Sequence, residues 1–474
     1  MRQRKNLHRQ VIFNLISAYE NMVQKGRVCF SDEQPYHDLI EYFEGECLLC
    51  RALEIVDHAI TEFGFSAVFY IRKAELQLQN KQAKQALVTL DQAEARSPGS
   101  LSISLLRAEG FASLDLCEDA IALLDDRKTQ ADSQELSQIY VCEARIYEQQ
   151  KEYEHMFYVL KAALEEDPSN KEALSSIWYC VEYARKYEES VALHEKIIDE
   201  QPFNALAWYN LGAAHHYLCN HLEAIEAYEY AFLTKEDFEF AYRYCAEVCL
   251  YVQNYQKALQ CYQEVMERFE PDADLFLHIG KCYLHLGNHL VAKTFFEKAT
   301  HFDPYCDEAF FGMGECYTGM KEWRKAVDAY RRAVLIEDRN EDYFAGLGEA
   351  HFHLHNFNKA ETFFREAADT APEEARHWTR LAHFLVDRGR PEDALKVLDE
   401  AEDYAYGPEL LYCRSACLFV MEKKKEALLA LEDALFEDFD AHDSLFNLLP
   451  VLEQDRDVQA VIATLKPDIH SSFD

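Results

Sequence analysis

Small residues return in this chain at an interval of 34. They stand in pairs seven apart: Ala52 with Ala59, Ala86 with Ala93, Ala224 with Ala231, Ala292 with Ala299, Ala326 with Ala333, Ala360 with Ala367 and Ala394 with Ala401. Ala120 with Arg127, Met156 with Ala163, Ser190 with Ile197, Ala258 with Val265 and Ala427 with Ala434 complete the series. From Met156 to Ala394 every step is 34 residues, while one step near residues 128–137 is longer by two and the last is shorter by one. A spacing of seven is two helical turns, so each pair marks one face of one helix. A second small series precedes it in each period: Ala74, Ala108, Ala144, Gly212, Ala246, Gly280, Gly314, Gly348, Ala382 and Ala416. Two helices that both carry small residues on the facing side can approach closely. The 474 residues therefore read as a stack of about twelve helix pairs rather than as three ordinary domains. Ile40 and Trp178 depart from the small-residue rule, and looser pairing is expected there.

Other residue types keep the same period. A large residue recurs near each repeat start, from Tyr36 and Tyr70 through Trp208 and Tyr242 to Trp378 and Tyr412. A ring recurs in the turn of each pair: Tyr153, Tyr187, His221, Tyr255, His289, Trp323, Phe357. Proline follows several second helices (Pro98, Pro168, Pro202, Pro271, Pro304, Pro372) and forces an extended link. Leu347-Gly348, Ala360, Phe364 and Pro372, and again Ile279-Gly280, Tyr283, Ala292, Phe296 and Pro304, give the chain its signature. In these residues it resembles the tetratricopeptide repeat family over roughly residues 33–440. The resemblance implies an all-α fold, a right-handed α-solenoid (superhelix) of tandem helix-turn-helix repeats.

The expected organisation has four parts: a capping helix within 1–32, degenerate repeats over 33–136, in-register repeats over 137–440, and capping helices with a frayed tail over 441–474. In the first, Val11, Ile12, Leu15, Ile16, Tyr19 and Val23 form an apolar stripe, and Gly26 is the expected stop. In the last, Leu445 to Leu452 suggest a short helix containing Pro450, and Val458 to Leu465 another.

Composition narrows the function. Gly (15) and Pro (11) are too scarce for a many-turned β fold. The net charge of −37, from 85 acidic and 48 basic residues, repels phosphate backbones and anionic lipid. Nucleic acid and membrane surfaces are therefore excluded as partners, and a basic protein or peptide is the natural complement. The odd count of 15 cysteines, scattered through helical pattern, fits a reducing cytoplasm better than a disulfide framework. The start of the chain reads as an amphipathic helix and not an export signal, and no apolar run is long enough to span a bilayer.

No catalytic, cofactor or metal set emerges. Cys47 and Cys50 lack a second pair for zinc, and Cys180, Cys282 and Cys316 hold one place in three repeats as small core residues. Cys413 and Cys417 lack a nearby histidine. His351, His353 and His355 are expected as core or turn histidines, as are His215 and His216, since His351 stands where Tyr283 and Tyr317 stand earlier. The glycines follow the repeat and form no phosphate loop.

In repeats of this family the resemblance implies that first helices line a concave groove, where binding occurs. The central inward place reads Glu41, Glu75, Glu109, Arg145, Tyr179, Ala213, Glu247, Lys281, Glu315, Glu349, His383, Cys417. One turn on, Tyr183, Tyr217 and Tyr251 recur at 34-residue steps, and Tyr209 lies close by. The candidate partner-binding residues are thus Glu75, Glu109, Glu247, Glu315 and Glu349 with Tyr179, Tyr183, Tyr209, Tyr217 and Tyr251. The competing reading packs the tyrosines between helices and pairs the glutamates with basic neighbours. Some family members hold acidic chaperone tails with a clamp of Lys, Asn and Arg; of the equivalent places only Asn210 fits, so that activity is disfavoured. The function expected is a non-catalytic scaffold or adaptor. The alternatives are a homo-oligomer or assembly factor acting through its ends, and the substrate-binding arm of a glycosyltransferase-type enzyme.

Overall fold

The computed structural model describes residues 2–26 and 30–466, and the side chains from residue 11 onward. The expected frayed tail therefore lies mostly outside the described residues. Those residues are helical throughout and contain no strand. They divide into two compact units, Met1–Ala241 and Tyr242–Asp474. Each unit is a succession of antiparallel helix pairs, in which most helices pack on their sequence neighbours and several first helices also touch the first helix of the next pair.

The turn inside each pair carries one residue in the left-handed region. These are Cys47, Lys81, Asp115, Lys151, Arg185 and Cys219 in the first unit, and Gln253, Gly287, Lys321, His355, Gly389 and Glu422 in the second. They repeat the spacing of the alanines, including the step longer by two and the last step shorter by one. Each turn ring is the first residue of a second helix, as at Tyr153–Glu166, Trp323–Ile336 and Phe357–Thr370. Side-chain caps start several first helices: Asn170, Asn204, Asp272 and Asn340 each accept from a backbone N–H of the first turn.

The small-residue series is buried where the two helices of a pair meet. At four repeats the second helix presents an aromatic ring to a glycine. A Cβ on Gly212 would fall 2.8 Å from Tyr228, on Gly280 2.7 Å from Phe296, and on Gly348 2.6 Å from Phe364. Phe296 also meets Gly312 of the following first helix, and Tyr330 likewise meets both Gly314 and Gly346. Where Trp178 replaces the small residue, helix Lys171–Ala184 stands off its partner Tyr187–Glu200 and packs instead on helices Tyr153–Glu166 and Ala205–Tyr217. At Ile40, the other departure, no loosening follows: Ile40 is buried and helix Gln34–Gly45 packs on Leu49–Glu62. Arg127, which replaces a small residue of the second-helix series, turns its Nε to the Ser104 hydroxyl at 2.8 Å.

The ends differ from expectation in detail. Helix Arg2–Gln24 buries Ile12 and Tyr19, but Val11 on the flank of the stripe and Val23 in the last turn are exposed. Gly26 takes the left-handed conformation that closes it. The helix expected across Pro450 is two pieces, Asp443–Leu448 and a 3-10 turn Pro450–Gln454. Proline has no N–H to donate and clashes with the preceding turn, so the chain breaks at Leu449 and restarts with Pro450 in first position. Leu445, Leu452, Val458 and Ile462 then cover Tyr412, Leu431 and Leu435.

Candidate functional site

First helices of successive pairs lie side by side, so residues about 27, 34 or 36 apart in sequence become neighbours on one wall. In the first unit this builds a charge ladder. Arg72 pairs with Glu75 at 2.7 Å and also reaches Glu44 of the preceding first helix. Arg145 bridges Glu109 and Glu172. Burial works against the Arg145 guanidinium, but those two carboxylates outweigh it and hold its pKa above the ordinary value. Two adjoining clefts, of about 470 and 500 Å³, share Glu109 and Arg145, and the second also contains Arg72 and Glu75. Glu75 and Glu109 thus reach one surface, each with its own arginine. This stretch carries both signs of charge and is not the uniformly acidic one that the repeated glutamates suggest.

The tyrosines separate into two groups. Tyr183 stacks on Tyr153, ring centroids 4.7 Å apart, and Tyr179 lies 4.8 Å from Tyr183 and 5.7 Å from Tyr153. Hydrogen bonding with Tyr153 and Tyr183 pushes the Tyr179 phenol well above its ordinary pKa. Tyr217 stacks on Tyr187 at 5.1 Å. Tyr153 and Tyr187 thus each carry the ring found 30 residues later. The second unit repeats this with Tyr255 under His285 at 4.5 Å and Trp323 under His353 at 4.0 Å. Tyr183 and Tyr217 remain 56% and 42% exposed. Tyr209 does not join them; it packs at 5.7 Å on Tyr228 and 5.2 Å on Phe238. Tyr251 is exposed and belongs to the second unit.

In the second unit the same neighbour relation brings carboxylates together. Glu315 is half-buried beside Asp342, and burial first, then Asp342, pushes its carboxyl up to about 7. Lys281 opposes this, but it is ion-paired with Glu308. Glu247 stays open to solvent on one side; desolvation on the other raises its pKa, Arg243 opposes, and Asp274 adds to the rise. Glu349 lies near the Tyr330 phenol.

Other candidates resolve individually. Asn210 is buried, its amide donating to the Leu174 carbonyl at 2.8 Å and to His194 Nε2 at 3.3 Å. His351 is buried and stacked on Phe363, His353 lies on Trp323, and His355 holds the left-handed turn, so the three form no common site. Cys180, Cys282 and Cys316 are fully buried, and Cys413 and Cys417 are buried as well. A sequence reading misses the buried trio Cys245, Cys249 and Cys261, in which Cys245 and Cys261 sulfurs are 3.8 Å apart.

Tetratricopeptide repeat profiles match residues 182–236, 248–305 and 308–335. The profile described as anaphase-promoting complex, cyclosome, subunit 3 matches residues 353–434. No curated protein sequence matches the chain. Among solved structures it is similar to YrrB, described as a TPR protein with an unusual peptide-binding site, at 19% identity over 39% of this chain and 95% of that one, with a TM-score of 0.34. It is similar to the APC/C hetero-tetramer Cut9–Hcn1 at 13% identity, over 91% of this chain and 94% of that one, with a TM-score of 0.40. MamA 41-end from Desulfovibrio magneticus RS-1 gives 20% identity over 35% and 95%, with a TM-score of 0.33. With the alanine register, the turn residues and the matched profiles in agreement, the chain is a tetratricopeptide repeat protein.

Proposed function

We propose that this chain is a non-catalytic scaffold or adaptor that holds a basic protein or peptide against its first-helix wall. The repeat fold supports a protein-interaction role in general. The observation that carries the finer reading is the partial desolvation of Glu315 and Glu247 in the second unit, each with a further carboxylate nearby, Asp342 or Asp274, although Arg376 pairs with Asp342 and Arg243 opposes the rise at Glu247. A partly desolvated carboxylate gains from a lysine or arginine brought by a partner. In the first unit, taken by itself, the partly exposed rings of Tyr183 and Tyr217 offer rigid contact area at low entropic cost. The described cysteines are free thiols, in keeping with a reducing, cytoplasmic setting. No helix among the described residues is long and apolar enough to cross a membrane.

A second reading, self-association through an end, draws support from apolar side chains left in solvent there, Phe13 at 63% and Val451 at 77% exposure.

The test uses the immobilised full chain as bait in lysate from its source, washed at low and high salt. Basic partners should be retained at low salt and lost at high salt. Glu247→Lys with Glu315→Lys should lower their retention at least about tenfold, each reversal removing an attraction and adding a repulsion. Glu75→Lys with Glu109→Lys should have a smaller effect, because Arg72 and Arg145 already neutralise those carboxylates. Retention unchanged in the first double variant overturns the acidic-wall reading. Recovery of the bait alone favours self-association.

A further inference from the structure

The second unit brings a histidine and two carboxylates together. Glu341 and Asp342 open helix Glu341–His353, and His377 stands in the first turn of Ala375–Asp387, the next first helix. One ring nitrogen of His377 and one carboxylate oxygen from each acid lie within 4.8 Å of one another. His377 is 2% exposed, and both of its ring nitrogens are buried without a hydrogen-bond partner. An imidazole with two unmet nitrogens is costly in a protein interior.

The preceding repeat shows what this place ordinarily does. Its equivalent of His377 is Tyr343, whose hydroxyl donates to Asp307, the equivalent of Glu341, at 2.7 Å. His377 replaces that satisfied pair with a nitrogen that does not reach the carboxylates directly but can share an ion with them.

We propose that Glu341, Asp342 and His377 bind a divalent transition-metal ion of the zinc type, with a coordination position left for water or for a partner's side chain. One nitrogen and two oxygens form a borderline donor set, suited to zinc and its neighbours more than to calcium or magnesium. The donors of a tetrahedral zinc lie roughly 3.3 Å apart, so the three need to close by only about 1.5 Å. Arg376 is the competitor. It pairs with Glu341 and Asp342 at 3.0 Å each and with Glu374 at 3.5 Å. Its side chain is 55% exposed, so it can swing into solvent when an ion enters.

The test titrates cobalt(II) into the full chain after stripping with a chelator, follows visible absorption, and displaces the cobalt with zinc. One ion per chain should bind, without the thiolate-to-metal charge-transfer band that cysteine ligation gives. His377→Tyr copies the preceding repeat and should keep the melting curve while weakening binding at least about tenfold. Arg376→Ala should tighten binding about threefold or more by removing the competing cation. If His377→Tyr does not fold, Glu341→Gln with Asp342→Asn carries the same expectation of weaker binding. Equal affinity in the ligand variants, a thiolate band in the wild type, or no tightening in Arg376→Ala overturns the proposal.

Discussion

Gly312→Ala is expected to destabilise the chain by about 2–3 kcal/mol, although alanine is the better helix former by about 1 kcal/mol. The added methyl group would sit 2.5 Å from Phe296, a fully buried ring that also lies against Gly280. Neither ring nor helix can retreat without opening a gap elsewhere, so packing wins over propensity. Phe296→Ala alone should cost about 3–5 kcal/mol through lost burial and the cavity left behind. The two changes should not add. In the Phe296→Ala background the methyl group enters space that the ring has vacated, and Gly312→Ala should become neutral or mildly stabilising. Urea unfolding of the wild type, both singles and the double checks this cycle. A neutral Gly312→Ala single would mean that the helix spacing is not set by this contact.

The contact of the same Phe296 ring with Gly280, which belongs to the 34-residue series, shows why the fold was legible. A repeat in which an aromatic ring meets a helix backbone tolerates only a very small residue at the meeting place, so the constraint is written directly as Gly or Ala at a fixed interval. The turns were less legible. They demand a left-handed residue, yet glycine holds only positions 287 and 389, and Lys81, Arg185 or Glu422 carry no sign of it. The candidate surface was legible by residue type and not by state. Tyr183 and Tyr217 recur visibly, but their burial depends on Tyr153 and Tyr187, which lie 30 residues earlier in a separate series. Glu109 and Glu315 occupy equivalent places; one meets Arg145 and the other Asp342. The sign of that neighbour decides whether a glutamate is neutralised at home or open to a partner, and it comes from another repeat. His377 is hidden for the same reason, since its carboxylates stand a full repeat before it.

Asn210 leads to the last expected result. The one residue that matches the clamp of related repeats is turned inward, where it stabilises His194. His194 Nδ1 faces the Ser190 carbonyl at 2.7 Å, which only accepts, so the proton sits there and Nε2 accepts from the Asn210 amide. The imidazole is fully buried, and burial pushes its pKa from 6.5 down to about 4. Above pH 6.5 it is neutral in folded and unfolded chains alike, and its contribution to stability is fully present. Between 6.5 and 4 the unfolded chain takes up a proton that the folded chain refuses, so stability falls as pH falls. Each unit of difference is worth about 1.36 kcal/mol. From pH 7 to pH 5 this group should therefore cost about 2 kcal/mol. His216, His278, His351 and His377 are also lowered by burial and act in the same direction. The measurement is therefore a difference. Urea unfolding at pH 7 and pH 5 should lose about 2 kcal/mol less in His194→Leu than in the wild type, whatever the variant's stability at pH 7. Equal losses would place the His194 titration at its ordinary value, in a site that admits water. The Asn210 amide would then be free to turn toward the first-helix wall, and the clamp position would return as a candidate contact for a partner.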